Sequence, residues 1–180
     1  MNPQHSLVEP PADSPFPIDE IESIVRRARR KRLETEGYTP ADVQKIRDGD
    51  YFDEPPLIGD CIKNAIVLCN ALHDHYFNPI LVWGALNFDD NPPATVQEAR
   101  KNRETHFWVE LEHDNETLIL ELASEAPNTI GEYTIRTELP DTYHRLPGSR
   151  FYYTADAGIT APVLRSENGY KLLKQHLDQP

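Results

Sequence analysis

A chain of 180 residues, 38% of them hydrophobic, is long enough to bury one core without disulfides, and it has no apolar run near the roughly 18 residues a membrane span needs. Its net charge of −12, from 18 basic and 30 acidic residues, argues against a dedicated nucleic-acid binder and fits a salt-rich cytoplasm. The only cysteines are Cys61 and Cys69; on one helix they would lie roughly 12 Å apart, too far for a disulfide, so both are expected to stay reduced.

Residues 1–17 hold five prolines and no periodicity, and read as a disordered or loosely attached arm. They have neither the positive start nor the apolar segment of a signal peptide, so a cytoplasmic location is expected. The remainder, 18–180, reads as a single domain. IDEIESIVRRARRKRLETEG predicts a helix, with Ile18, Ile21, Val25 and Ala28 on one face and Gly37 as its stop. Thr39-Pro40 starts a short helix to about Arg47, and DGDYFDEPP is a loop.

From Asp60 the pattern becomes apolar almost all round. Cys61, Ala65, Leu68, Cys69, Leu72 and Tyr76 share a face, which predicts a central buried helix ending at Asn78-Pro79. ILVWGAL (80–86) is a buried strand. Residues 87–104 form a polar insertion with a short helix from Thr95 to Asn102. THFWVELE (105–112) and TLILELAS (117–124) form a hairpin around HDNE. EYTIRTE (132–138) and RFYYT (150–154) are further strands, with Phe151, Tyr152 and Tyr153 as strand core, and SENGYKLLKQHL is a C-terminal helix. Helices first and strands after predict an α+β fold with an antiparallel sheet rather than alternating α/β units.

Cys61 opens the central helix behind Asp60. At that position unpaired N–H groups and the helix dipole favour a thiolate and can hold a developing oxyanion, although Asp60 places a negative charge next to it. Cysteine is also a common small core residue, which is how Cys69, in mid-helix, reads. Among the histidines, His5 lies in the arm, His176 in the terminal helix, His113 in the hairpin turn and His144 in a proline-flanked loop. His73 and His75 end the central helix far from Cys61. His106 alone opens a strand, a rigid mount for a general base.

Glu121 is the charged exception in TLILELA. With Asp114-Asn115 as a two-residue turn, Trp108 faces Glu121 and His106 faces Ala123, so His106 and Glu121 are diagonal neighbours on one face. A turn centred one residue earlier sets His106 directly opposite Glu121, whereas the intermediate register sends them to opposite faces. A carboxylate facing water at the strand edge is the competing reading of Glu121. Glu110, roughly 13 Å along the strand from His106, and Asp114, at the turn tip, are poorer orienting groups.

The ordered set GDCIKNAIVLCNAL, PILVWGAL, HFWVELE and LILELAS resembles the transglutaminase-like superfamily, within the papain-like cysteine-nucleophile fold. It covers 59 to about 124, roughly a third of the chain. The resemblance implies a central buried helix carrying the cysteine at its N-terminus and packed on an antiparallel sheet, followed by a C-terminal strand and helix extension. The family's catalytic cysteine falls on Cys61, its histidine on His106 and its acid on Glu121. The sequence departs from the family in having Glu121-Leu-Ala-Ser where an Asp-Pro-Thr-like context is usual, and Ile-Lys-Asn after Cys61. The implied chemistry is thiol-dependent acyl transfer or amide hydrolysis on a protein or peptide substrate, with no cofactor and no metal. A catalytically idle binding module on the same fold is the alternative.

RRARRKR (Arg26–Arg32) is the one basic run in this acidic chain. It reads as the solvated C-terminal half of the first helix rather than as a nucleic-acid patch. His73-Asp74-His75 lacks the shared face and companion motif of a metal site.

Overall fold

The computed structural model describes residues 7–9, 14–39, 41–42, 45, 57–87, 91–147 and 149–152. Helix α1, Ile18–Thr35, buries Ile21, Val25 and Ala28 of the predicted stripe together with Ile24 and Leu33, while Ile18 is half-buried. It stops where expected: Gly37 adopts φ +88°, and the N–H groups of Gly37 and Tyr38 bond back to the carbonyls of Glu34 and Leu33. Thr39 and Asp42 exchange hydrogen bonds as a cap for the helical turn that follows. The rest of that short helix lies outside the described residues, as do the end of the last strand and the C-terminal helix.

Helix α2, Cys61–Asp74, buries Asn64, Ala65, Leu68, Cys69 and Leu72. It ends before the Asn78-Pro79 signal. Tyr76 takes the left-handed conformation, φ 66°, and the Phe77 N–H returns to the Leu72 carbonyl. Tyr76 is therefore 96% exposed instead of continuing the buried face.

Strand β2 (Ile80–Leu86) follows, and then helix α3 (Val96–Asn102), whose Thr95 hydroxyl accepts from the Glu98 N–H. Next come β3 (Thr105–His113), β4 (Glu116–Glu121), β5 (Thr134–Arg136), β6 (Tyr143–His144) and β7 (Arg150–Tyr152). All pairs among these six strands are antiparallel, in the order β5-β4-β3-β2-β6, with β7 also on β2. Strand β1, Leu7–Glu9, pairs in parallel with β5 and extends the sheet. That part of the proline-rich segment is thus a sheet edge and not a loose arm. The mixed architecture with a six-strand antiparallel sheet is the one expected, although β1 comes before the helices and α3 falls between strands.

The β3–β4 hairpin turns at Asp114-Asn115, with Asp114 at φ 53°. Its pairs run from His113↔Glu116 to Val109↔Leu120, the two-residue-turn register. Both sheet faces are covered. Phe107, Val109, Leu111, Leu118 and Leu120 pack with α1 and α2. Val82, Trp108, Ile119 and Tyr143 form a second cluster on the other face, the face that carries His106 and Glu121. Gly84 pairs with His106 across β2 and β3, and a Cβ there would lie 2.1 Å from the Trp108 ring, so only glycine lets that ring cross the strand. Among the described residues, no helix is long and apolar enough to cross a membrane.

Candidate active site

Pairing of β3 with β4 stops at Val109↔Leu120, one residue short of Trp108 and Glu121. Beyond it β4 turns to β5, through Glu121↔Thr134, while β3 runs on with β2 as far as Ala85↔Thr105. His106 lies in the parted end of β3, and the N-terminus of α2 meets it there. The three residues singled out from sequence converge at this point.

His106 is fully buried. Its Nε2 hydrogen-bonds to Glu121 Oε1 at 2.9 Å, the diagonal contact that strand parity allowed. Its Nδ1 is on the other side of the ring, 3.8 Å from Glu125 Oε2, and makes no hydrogen bond among the described residues. Cys61 Sγ, a ring nitrogen of His106 and a carboxylate oxygen of Glu125 all lie within 4.8 Å of one another. Burial alone would lower the His106 pKa. The neighbouring Cys61 side chain and the Glu121 carboxylate outweigh burial and lift it to about 10.

Glu121 is buried too, and it is satisfied on both oxygens. Oε1 also accepts from the Tyr143 hydroxyl at 2.9 Å, and Oε2 accepts from Thr134 at 3.1 Å. A water-facing edge carboxylate is therefore ruled out. Tyr143 in turn accepts the Glu125 N–H at 2.9 Å, and its ring centroid lies 4.5 Å from that of His106. Burial and then the Glu121 charge push the Tyr143 phenol well above its ordinary range, so it stays a neutral donor.

Cys61 is half-buried. Cys69 is fully buried in the core, where burial pushes its thiol far up. Asp60 occupies the N-cap position but makes no side-chain cap bond. Its carboxylate binds Arg32 Nη2 at 2.7 Å instead. The charge that counted against a thiolate is thus countered by an arginine that is only 3% exposed. Arg29, also buried, donates to the Leu122 carbonyl, next to Glu121. Two members of the basic run therefore tie α1 to both halves of the site, contrary to the expectation of a solvated helix half, while Arg26, Arg27, Arg30 and Lys31 are exposed.

Glu110 is excluded as an orienting group. It accepts from Trp108 Nε1 and pairs with Arg145 and Arg150. Asp114 remains exposed at the turn beside His113.

Sequence reasoning missed Tyr143, Thr134, Glu125, Arg29 and Arg32. Tyr143 sits in a two-residue strand with no periodicity to detect, and Glu125 follows the end of β4. The 3.6-residue spacing that puts Arg29 and Arg32 on the stripe of Val25 and Ala28 was the available signal. A scan against protein-family models, a search of curated proteins and a search of solved structures each found nothing that matches this chain.

Proposed function

We propose that this chain is a transglutaminase-like cysteine enzyme that cleaves or transfers the acyl group of an amide in a protein or peptide substrate. One observation carries the reading: a buried imidazole, fixed through Nε2 by Glu121 and with no full hydrogen bond on Nδ1 among the described residues, lies beside a half-buried cysteine at the mouth of a helix. Near neutral pH His106, with its pKa lifted to about 10, already carries the proton on Nδ1, and Cys61 attacks the substrate carbonyl as the thiolate paired with it. The first-turn N–H groups of α2, which Asp60 leaves uncapped, face the developing oxyanion. As the tetrahedral intermediate collapses, the C–N bond breaks, and His106 returns the proton to the leaving amine. Water then releases the acid from the thioester, or a second amine takes the acyl group. Glu121 holds the imidazole orientation and balances its charge. Its extra methylene relative to aspartate is accommodated because Thr134 and Tyr143 anchor the carboxylate with Oε1 on His106.

The test is iodoacetamide alkylation across pH, mapped by mass spectrometry on metal-free protein. Modification is expected at Cys61 and not Cys69. Cys61 should react near neutral pH faster than an unactivated thiol, and His106→Ala should restore ordinary behaviour. A wild-type profile that is ordinary and ignores His106 sinks the enzyme and leaves an idle binding module.

A further inference from the structure

Glu125 has no part in the acyl-transfer scheme, yet it shares the space between Cys61 and His106. Its Oε1 accepts from the Gly59 N–H at 3.4 Å, and its Oε2 is turned to the imidazole. The loop ahead of α2 is thereby tied to the segment after β4, and a third donor is brought to the thiol.

We infer that Cys61, His106 and Glu125 form a binding site for a divalent cation of the zinc class, and that occupancy takes the thiol and imidazole out of acyl transfer. Three features point to such an ion. The first is distance. Around a tetrahedral zinc, with bonds of roughly 2.0–2.3 Å, neighbouring donor atoms stand about 3.3–3.8 Å apart. Nδ1 and Oε2 are already 3.8 Å apart, and the whole trio lies within 4.8 Å, so side-chain rotations close the shell. The second is the donor set. One sulfur, one nitrogen and one oxygen suit zinc and its neighbours in the first transition row, whereas magnesium and calcium call for oxygen alone. The third is orientation. His106 Nδ1 is fully buried, 3.8 Å from Glu125 Oε2 and without a full hydrogen bond among the described residues, while Nε2 is held by a carboxylate, the outer partner that metal-bound histidines commonly have.

Binding forms bonds from the metal to Sγ, Nδ1 and a Glu125 oxygen. The thiol proton, and the imidazole proton where Nδ1 carries one, leave to solvent. The fourth position stays open to water. The site itself rests on these donors and not on the enzymatic reading; only its inhibitory effect depends on that reading.

Full-length protein stripped with EDTA is titrated with Co²⁺ and then with Zn²⁺. One equivalent of Co²⁺ is expected to give a thiolate-to-cobalt charge-transfer band, lost in Cys61→Ser and kept in Cys69→Ser. Glu125→Gln is expected to weaken binding by at least the roughly 10–100-fold seen when only an outer partner is removed. Zn²⁺ should displace Co²⁺ and block alkylation of Cys61 until EDTA is added, with circular dichroism confirming that each variant is folded. Absence of the band at stoichiometric Co²⁺, or a Glu125→Gln affinity equal to wild type, overturns the site. The two readings fail separately. A cobalt band on a thiol of ordinary reactivity removes the enzyme and keeps the site, while a reactive thiol without the band does the reverse.

Discussion

A buried carboxylate needs every lone pair it can satisfy, and Glu121 obtains three donors from three different elements: β3, β5 and β6. Tyr143, a donor with no sequence signature, is thus the sharpest probe of the site. Tyr143→Phe keeps the ring in place but leaves the Glu125 N–H unpaired and Glu121 one donor short. We expect a loss of about 1–3 kcal/mol in urea unfolding, together with slower alkylation of Cys61 as the imidazole loses its fixed orientation. Unchanged stability would mean that water replaces the hydroxyl. His106 gives a second expectation at this scale. Its folded pKa, about 10, lies above the ordinary 6.5. A group raised in this way stabilises fully below its unfolded pKa, and that contribution is lost as pH rises through the folded value. In chelator-treated protein the unfolding midpoint should therefore fall from about pH 6.5 to 10, and His106→Gln should flatten that slope. A wild-type slope that persists in the variant would assign the loss to other groups.

Elements place these side chains, and the placement can be tested at their contacts. Arg32 on α1 reaches Asp60 at the head of α2, so Arg32→Met, which keeps the apolar stem, removes a charge without opening a cavity. Asp60 is 35% exposed and remains hydrated, so the cost should fall below the roughly 3–5 kcal/mol of breaking a fully buried pair. Cys61 alkylation near neutrality should slow all the same, because the carboxylate beside the thiol then keeps only its exposed pair with Lys63. An alkylation rate equal to wild type would show that Arg32 serves packing alone. Gly84→Ala pushes a methyl group into the Trp108 ring and toward the His144 carbonyl. Its destabilisation should reach or exceed the roughly 1–3 kcal/mol of ordinary overpacking, measurable by thermal unfolding. At this scale much was legible in advance. The period-2 pattern on both sides of Asp114-Asn115 permits few registers, and each one decides whether His106 and Glu121 share a face. The end of α2 was less legible, because a left-handed Tyr76 stops the helix before the proline that local rules point to. Strand β1 was illegible, because its pairing with β5 joins residues more than a hundred positions apart through backbone bonds that leave no side-chain pattern.

The acidic charge belongs to the whole molecule. Local pairing absorbs only part of it: Glu110 is buried between Arg145 and Arg150, and Asp60 is held by Arg32. A net charge of −12 leaves mutual repulsion over the surface, which opposes the compact state. Salt acts on the two parts with opposite sign. It weakens exposed ion pairs, each worth roughly 0–1 kcal/mol, and it relieves the long-range repulsion as the Debye length falls from about 10 Å at 0.1 M to about 3 Å at 1 M. The buried pairs are shielded from this screening. Relief should therefore win, and the unfolding temperature should rise as KCl is raised over that range. Potassium chloride is the better salt for this test than sulfate, whose exclusion from protein surfaces would stabilise the fold by another route. A falling unfolding temperature would mean that the exposed pairs, such as Lys63 with Asp60 and Arg26 with Glu22, carry more of the fold than their exposure implies.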